Sequence, residues 1–372
     1  MKVLIIAPNI SKPYLGPSAV AYNTLRGFLK IDEELKSNGV KITFLSINDE
    51  IERKKVTENI EIVSSRRYPP VSFTEEFQAL FRKKRGFNVV HSHNLYEVFP
   101  YLILRVSTIY TLHGIPWREI KFKDGLYPKI WLKLMELRLK LYYPKLSRFV
   151  AISQYVVEEL KAKGFDTSKA VIIENPVSDE FFEVEKKEEQ IILYPATLIP
   201  RKNQIGFLKA ISLIREEMRE YKVVFTASGD KEYEAKLRDL VSKNGLRVEF
   251  LGKVPYERMS ELYSKASIVS LLSFEETFGM AIAEAMATGT PVLASSIPVF
   301  RYIVKENETG LLADPNDPKD IAEKLLALIN DESLRKRMGR EARKEAERRW
   351  RAEIVAKKHL ELYLSIFEGV RV

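Results

Sequence analysis

Two glutamates, Glu276 and Glu284, have the most informative spacing in the chain. The apolar run at residues 268–272 is typical of a buried strand, so Glu276 is predicted in the loop after it and Glu284 in the next helix. A helix start near Phe278 and Gly279 would offer free amides and the helix dipole to phosphate or sugar oxygens. The two carboxylates would then grip hydroxyl groups on two parts of one extended polar ligand. The alternative is that Glu284 caps a buried hydrogen-bond network.

Arg201 and Lys202 form a second polar group, directly after the predicted strand at residues 191–194. Adjacent arginine and lysine side chains at a strand end would neutralise a diphosphate, with arginine giving a bidentate contact. The alternative is an ordinary solvated surface pair. Because this pair and Glu276 both follow strands of one predicted sheet, we expect them at the same edge.

Three of the four histidines, His91, His93 and His113, lie at the ends of predicted strands. His91 is predicted to pack within the sheet, whereas His113, before Gly114, is the better candidate for a ligand contact. No carboxylate has a spacing that would complete a metal site with them, so no metal is expected. Gly16 opens the first helix and would let backbone N–H groups approach an anion.

The familiar nucleotide and nucleophile motifs are missing from the sequence. No Gly-x-Gly-x-x-Gly follows a strand and no Walker A sequence is present, which argues against a dehydrogenase and a P-loop ATPase. No Gly-x-Ser-x-Gly elbow is present, which argues against an α/β-hydrolase. With no cysteine, thiolate nucleophiles, disulfides and iron–sulfur clusters are excluded.

Short apolar runs alternate with helix-length periodic segments along the chain. The strands and helices that they predict would position the candidate site residues. The alternation predicts parallel sheets with right-handed crossovers. The predicted strands are residues 3–7, 42–47, 89–91, 108–112, 149–152, 171–173, 191–194, 223–227, 248–251, 268–272 and 291–294. The predicted helices include residues 20–38, 204–219 and 258–265.

A charged stretch without apolar period, residues 183–190, is typical of a linker. We therefore predict two doubly wound parallel-sheet domains, residues 1–183 and 190–345, with a ligand cleft between the carboxyl ends of their strands. Residues 346–372 are predicted to form a C-terminal helix that packs back toward the first domain.

The 372 residues are 45% apolar and 30% charged with a net charge of +9, which predicts a globular protein with anionic partners. Pro8 ends the first apolar run too early for a signal peptide. The weakly charged stretch 277–300 is interrupted by Glu284, Gly289 and Pro291, so it does not read as a membrane span. We expect a cytoplasmic protein, or one on the cytosolic face of a membrane.

Residues 99–150 contain ten Lys or Arg against three Asp or Glu, and the basic run at residues 82–85 lies just upstream. Lys129, Lys133, Glu136 and Lys140 share one face of a predicted helix whose other positions are mostly apolar. Such a helix suits an anionic membrane surface and, with it, a lipid-linked acceptor. The alternative is a helix buried on two sides.

The ordered set of motifs resembles the retaining, nucleotide-sugar-dependent glycosyltransferases of family 4, which have the GT-B fold of two Rossmann-like domains facing a central cleft. Its strongest part is Glu276-Thr-Phe-Gly-Met-Ala-Ile-Ala-Glu284, which looks like that family's pair of glutamates separated by seven residues. Supporting segments begin at Val90, Thr111, Val150, Glu174 and Thr309 and read VHSH, TLHG, VAIS, ENPV and TGLLADPND.

The resemblance implies a role for each matching residue in the second domain. Glu284 would hold the ribose hydroxyls of the donor nucleotide. Glu276 would contact hydroxyls of the transferred hexose, helped by the amides of Phe278, Gly279 and Met280.

The resemblance also implies roles for the basic pair and for the first domain. Arg201 and Lys202 would stabilise the departing diphosphate, the electrostatic contribution that usually dominates such catalysis. Gly16 would bring backbone amides to the phosphates, and His113 would touch the transferred sugar near the acceptor.

The sequence departs from the family pattern in two places. Many members have Gly-Arg where this chain has Ala196-Thr197, so the diphosphate would depend on the basic pair at residues 201–202. Pro17 follows Gly16 and has no N–H to offer. Base recognition is expected near Gly252 and Val254, largely through backbone groups.

The implied reaction is the transfer of a hexose from a UDP- or GDP-sugar to a hydroxyl acceptor, either a glycan or lipid-linked, without a metal or another cofactor. Two alternatives keep the fold: a non-catalytic sugar-nucleotide-binding protein, and an epimerase or phosphorylase. The positive net charge also suggests a nucleic-acid-binding protein as an alternative. No nucleic-acid-binding motif is present, however, so no nucleic-acid partner is expected.

Overall fold

The computed structural model describes residues 1–8, 10, 16–47, 52–65 and 86–369. The chain divides into two compact units, Met1–Pro176 with Arg351–Val372, and Val177–Trp350. The sequence prediction set the linker at residues 183–190 and began the C-terminal segment at residue 346. The chain instead passes from the first unit to the second after Pro176 and returns to the first after Trp350. At the first of these points, the carbonyl of Pro176 accepts a hydrogen bond from the Asn23 side chain at 3.1 Å, and the amide of Val177 donates to the carbonyl of Trp350 at 2.8 Å.

The sheet of the first unit has the strand order β3-β4-β2-β1-β5-β6-β7-β8. Neighbouring strands are parallel except for β3 and β4. The strands are β1 (Lys2–Pro8), β2 (Lys41–Ile47), β3 (Glu52–Lys55), β4 (Ile60–Ser65), β5 (Val89–Ser92), β6 (Ser107–Leu112), β7 (Arg148–Ala151) and β8 (Ala170–Ile172).

Helices flank this sheet, and the last helix of the chain belongs to the same unit. The α-helices described here are α1 (Pro17–Lys30), α2 (Asp32–Ser37), α3 (Leu95–Ile103), α4 (Pro116–Glu119), α5 (Leu126–Tyr142), α6 (Gln154–Ala162) and α15 (Ala352–Gly369). Gly27 of α1 lies so close to α15 that a Cβ there would stand 2.2 Å from the Ala352 carbonyl oxygen. A glycine is therefore needed where α1 and α15 cross.

The second unit holds an all-parallel sheet in the order β11-β10-β9-β12-β13-β14. Its strands are β9 (Glu189–Tyr194), β10 (Lys222–Phe225), β11 (Val248–Phe250), β12 (Ala266–Leu271), β13 (Val292–Ser295) and β14 (Gly310–Ala313). Its α-helices are α7 (Asp179–Glu183), α8 (Gln204–Leu213), α9 (Lys231–Asn244), α10 (Met259–Lys265), α11 (Met280–Ala287), α12 (Pro298–Ile303), α13 (Pro318–Asn330) and α14 (Glu332–Trp350). Every residue of the central strand β12 is buried, as expected of a strand covered on both faces.

Several predicted elements differ from the observed ones. The helix predicted at 20–38 is two helices, because Ile31 leaves helical geometry with φ −104° and ψ 24°. The helix predicted at 204–219 ends at Leu213, after which residues 214–220 form turns. Strands β3, β4 and β14 were not predicted; β3 has the sequence Glu-Arg-Lys-Lys, which carries no apolar signal.

In the part of the chain that the structure describes, no helix combines the length and the apolar character that crossing a bilayer requires.

Candidate active site

The sheet of the second unit has a topological switch point between β9 and β12. From β9 the chain adds β10 and then β11 on one side, and it returns to the other side of β9 with β12. Parallel sheets bind ligands outside the carboxyl ends of the two strands at such a point. The loops that follow these two strands carry Arg201, Lys202 and Glu276.

Arg201, Lys202 and Glu276 meet at this switch point. Lys202 Nζ donates to Oε1 of Glu276, and Nη1 of Arg201 lies 3.8 Å from Oε2. Arg201 also donates from Nη1 to the carbonyl of Glu275 at 2.8 Å, while the Phe274 amide donates to the carbonyl of Arg201 at 2.9 Å. The basic pair and the carboxylate, which the sequence places after two different strands, thus form one cluster in which two cations share one carboxylate.

Burial and charge act against each other in this cluster. Burial lowers the pKa of the Lys202 ammonium below its ordinary value, although Glu276 opposes that shift. Burial alone would raise the pKa of Glu276, but the charges of Lys202 and Arg201 outweigh it and hold that pKa below its ordinary value. We therefore describe Glu276 as a carboxylate at neutral pH.

Tyr194, Asn203 and Ser273 hold the two loops, and sequence reasoning did not nominate them. The Tyr194 hydroxyl donates to the Lys202 carbonyl at 2.5 Å and accepts from the Leu272 amide at 3.0 Å, so it fixes both loops. Asn203, at φ 55°, caps α8 through its side chain. Ser273 donates to Oε1 of Glu276 at 2.8 Å. An aromatic residue at the end of a strand is ordinarily interpreted as part of the hydrophobic core, so there was no reason in the sequence to select Tyr194.

Helix α11 begins four residues after Glu276, and Gly279 is its N-cap. Gly279 takes φ 90° and ψ 60°, and a Cβ on it would lie 2.3 Å from the ring of Phe300. Gly279 has no side chain with which to cap the first turn of α11, whose first amides point away from the helix. Phe278 packs edge-on against Trp350 at 5.9 Å, and Met280 is half-buried.

Glu284 lies in α11 inside a network with two tyrosines that the sequence did not suggest. The Tyr263 hydroxyl donates to Oε2 at 2.9 Å, and the Tyr256 hydroxyl donates to Oε1 at 3.3 Å. Burial raises the pKa of Glu284 to about 7, and the two hydrogen bonds limit the rise. The buried network posed as an alternative to ligand binding therefore exists. It leaves carboxylate acceptor sites unused, because a carboxylate has about four.

Gly252 and Val254 lie in the loop that follows β11. Gly252 takes φ 66°, and Val254 is half-buried. A Cβ on Gly252 would make only ordinary contact, at 3.7 Å from Ser228 Oγ. Gly229 nearby has no room for a side chain, since its Cβ would stand 2.1 Å from the Leu198 carbonyl oxygen.

The remaining nominated residues, Gly16 and His113, belong to the first unit. Gly16 is the N-cap of α1 with φ 63°, and a Cβ there would meet nothing within 4 Å. His113 follows β6, and its Nε2 lies 2.7 Å from Nδ1 of His93. A pocket of about 160 Å³ lies beside these two histidines and is walled by Trp131 and Leu132, among others.

All four histidines of the chain lie in one row in the first unit. Ring centroids lie 5.3 Å apart for His359 and His91, 4.9 Å for His91 and His93, and 5.0 Å for His93 and His113. Burial lowers the pKa of each, to about 4 for His113 and about 3 for His359. The predicted packing of His91 agrees with its bonds to Tyr363 and Thr111, at 2.7 and 2.6 Å.

No group of three or more histidine, aspartate or glutamate side chains that could hold a metal ion occurs among residues 1–8, 10, 16–47, 52–65 and 86–369.

Two family models match the chain, one in each half. The model described as Glycosyltransferase Family 4 matches residues 28–181, and the model described as Glycosyl transferases group 1 matches residues 177–345. The chain belongs to the family 4 glycosyltransferases. This glycosyltransferase has the GT-B fold, so the family and fold predicted from the ordered set of motifs are confirmed.

The glycosyltransferase is similar to proteins of several organisms. The Methanocaldococcus jannaschii protein named Uncharacterized glycosyltransferase MJ1178 is 26% identical over 351 residues, 91% of each chain. A Campylobacter jejuni enzyme named GalNAc-alpha-(1->4)-GalNAc-alpha-(1->3)-diNAcBac-PP-undecaprenol alpha-1,4-N-acetyl-D-galactosaminyltransferase is 33% identical over 164 residues, 43% of this chain and 45% of that one. The structure of Anabaena Alr3699/HepE with UDP and glucose has a TM-score of 0.76 at 16% identity and covers 98% of this chain and 100% of its own.

Proposed function

We propose that this glycosyltransferase moves a hexose from a UDP- or GDP-sugar to a hydroxyl group of a glycan or a lipid-linked acceptor, with retention of the anomeric configuration. The proposal rests chiefly on the cluster of Arg201, Lys202 and Glu276 at the switch point between β9 and β12. Two cations held at that position by one carboxylate suit a ligand that carries phosphates at one end and sugar hydroxyls at the other.

Arg201 and Lys202 suit the leaving group. When the bond from C1 of the sugar to the diphosphate breaks, its electron pair stays on the diphosphate oxygen and negative charge grows there. The Arg201 and Lys202 side chains are only 24% and 15% exposed, so water screens them weakly. Because Glu276 already orders both cations, they can stabilise the transition state with little reorganisation.

Glu276 and the start of α11 suit the transferred hexose. Glu276 carries its charge at neutral pH and accepts hydrogen bonds from Ser273 and Lys202, which leaves acceptor sites for sugar hydroxyls. The uncapped amides near Phe278, Gly279 and Met280 would add donors for sugar or phosphate oxygens.

Glu284 would bind the ribose of the nucleotide. Tyr256 and Tyr263 orient its carboxyl group and use about half of its acceptor sites. The loop at Gly252 and Val254 would face the base through backbone groups.

Retention would follow from attack on the face from which the diphosphate leaves. The acceptor oxygen forms its bond to C1 as the diphosphate bond breaks, and the acceptor proton passes to the departing diphosphate oxygen. Arg201 and Lys202 would supply the positive charge that a divalent metal supplies elsewhere. We therefore propose that neither a protein nucleophile nor a metal takes part.

In the first unit, Gly16 would bring the amides at the start of α1 to the phosphates. His113 would contact the transferred sugar near the acceptor; its lowered pKa makes it a neutral hydrogen-bonding group at physiological pH. Two relatives support the substrate classes: the structure of HepE contains UDP and glucose, and the Campylobacter enzyme is named for an undecaprenol-linked glycan.

Product analysis tests the proposal. The enzyme is incubated with UDP- and GDP-hexoses and with glycan or polyprenyl-diphosphate-linked acceptors, and released nucleoside diphosphate and the product's anomeric configuration are measured. We expect diphosphate release that depends on acceptor, a retained configuration and unchanged activity in EDTA. Inverted product would refute retention, and conversion of the donor alone to another sugar nucleotide would indicate an epimerase.

A further inference from the structure

Helix α5 exposes a continuous apolar stripe. Six of its side chains, spaced three to four residues apart or adjacent, are between 46% and 80% exposed: Leu126, Tyr127, Ile130, Leu134, Leu137 and Leu141. At 100° per residue these positions fall on one side of the helix. Soluble proteins rarely leave so long an apolar row uncovered.

The opposite side of α5 already packs against its own unit. Leu132 and Leu139 are 5% and 0% exposed and point away from the stripe. The helix therefore has one buried row and one exposed row about 180° apart. Among the residues that the structure describes, the alternative of a helix buried on two sides is therefore wrong.

Helix α3 extends the exposed stripe sideways. Its Tyr96, Phe99 and Ile103 are 37%, 45% and 64% exposed and lie one turn apart. The Tyr96 ring is 6.3 Å from that of Trp131 on α5, which is itself 42% exposed. Phe99 stacks on Tyr142 of α5 at 5.6 Å. The outward residues of α3 and α5 thus form one apolar area, called the α3/α5 surface below.

Basic side chains border the α3/α5 surface. Lys129, Lys133 and Lys140 lie along one flank of the stripe and are exposed. Glu136, the acidic residue of α5, forms ion pairs with Lys140 at 3.4 Å and with Lys163 at 3.3 Å, which offset its charge. The basic run at residues 82–85 lies outside the described residues and takes no part in this argument.

We propose that the α3/α5 surface docks on an anionic lipid bilayer. Leucine and isoleucine side chains along the stripe would enter the boundary between headgroups and acyl chains, with Tyr96, Tyr127 and Trp131 at the level of the headgroups. The lysine flank would lie against the acidic headgroups. A second copy of the chain suits this surface less well, because a twofold contact there would bring two lysine-flanked helices together.

This docking goes beyond the proposed transfer reaction and does not depend on it. Binding to vesicles needs no nucleotide sugar and no acceptor. If the acceptor is a glycan in solution, the surface still binds lipid; if no vesicle binds, the proposed transfer reaction stands.

Vesicle flotation tests the proposal. At low salt, we expect the full chain to float with vesicles of phosphatidylcholine and phosphatidylglycerol, to float less with phosphatidylcholine alone, and to dissociate as salt is raised. Leu137→Glu with Leu141→Glu should weaken partitioning at least about tenfold. The matched control is Leu213→Glu in α8: Leu213 is 59% exposed, like Leu141, but belongs to the other unit.

A second variant separates charge from apolar contact. Lys129→Glu with Lys133→Glu should weaken binding to the anionic vesicles by roughly fivefold or more for each lysine changed. The side chains altered in the leucine and lysine variants are all exposed, so both variants should unfold at temperatures near that of the wild type. Absence of vesicle binding by wild type would overturn the proposal. So would a wild-type dimer in sedimentation that the leucine variant converts to monomer, because the surface would then join two copies.

Discussion

Lys202 and Glu276, 74 residues apart in the chain, form a largely buried ion pair that links the loops after β9 and β12. Each loop comes from one of the two strands that flank the switch point of the sheet. The pair therefore sets the position of both the basic group and the carboxylate of the site. Because neither partner is well exposed, losing one leaves a poorly compensated charge at the other.

Lys202→Ala should chiefly lower kcat, by about 10²-fold or more, because it removes a contact to the leaving diphosphate. Steady-state kinetics with the donor that proves active would measure it. Lys209→Ala is the matched control, since Lys209 is exposed on the helix that follows the same loop. Turnover near the wild-type value in Lys202→Ala would remove this residue from the mechanism.

Glu284→Gln should raise stability and weaken nucleotide binding together. The folded carboxyl group keeps its proton up to about pH 7, whereas the unfolded one loses it near 4.5, so its ionisation costs stability as pH rises through that window. Glutamine avoids the cost, roughly 1.4 kcal/mol per pKa unit. Denaturation at pH 8 and calorimetric titration with nucleoside diphosphates measure the two effects. A stabilised variant with unchanged nucleotide affinity would mean that Glu284 serves only the tyrosine network.

Gly279→Ala should destabilise the second unit and displace the start of α11. The left-handed backbone at φ 90° costs an alanine about 1 kcal/mol, and the clash with Phe300 adds roughly 1–3 kcal/mol. Gly245→Ala separates these causes, because Gly245 also has a positive φ, of 61°, but open space around its Cβ. Equal losses of stability in the two variants would show that the Phe300 contact contributes nothing.

The histidine row should make stability fall in acid. Unfolded histidines bind protons below about pH 6.5, whereas burial lowers the pKa of all four folded histidines, to about 4 for His113 and about 3 for His359. As pH falls below about 6.5, each histidine that stays neutral in the folded protein therefore lowers the free energy of unfolding by about 1.4 kcal/mol per pH unit. His359→Leu should reduce the dependence of unfolding free energy on pH by the contribution of one histidine, because it removes one titrating group. Leucine loses no hydrogen bond at Nδ1, since no partner of His359 Nδ1 occurs within the described residues. Chemical denaturation between about pH 6.5 and 4.5 gives the slopes, and identical slopes would contradict the assignment.

The local features of the site could be predicted, because each depends on residues that are close together in the sequence. The strand, loop and helix from residue 268 to residue 287 follow from an apolar run, a glycine and a helical period, and Arg201 and Lys202 follow a second such run. The Tyr256 and Tyr263 contacts with Glu284 could not be predicted, since they join residues 28 and 21 positions apart across two helices.

The division of the chain was harder to predict for a related reason. The charged stretch at 183–190 resembles a linker, yet it ends in the exposed first residues of β9. The observed division falls between Pro176 and Val177, which form hydrogen bonds with Asn23 and Trp350, residues distant in sequence. The exposure of the outward apolar row of α5 could likewise not be predicted from the sequence. An apolar row has the same sequence pattern whether or not another element covers it.

Thermal unfolding with nucleotides tests most directly the claim that Arg201 and Lys202 bind a donor diphosphate. Wild type and an Arg201→Ala, Lys202→Ala variant would be compared with UDP, GDP, ADP and their sugar conjugates, without metal. We expect one nucleotide family to add about 2.7 kcal/mol to the free energy of unfolding of wild type at roughly 100 times its Kd, and much less to that of the variant. Equal stabilisation of both proteins, or none of wild type by any of these nucleotides, would contradict the claim.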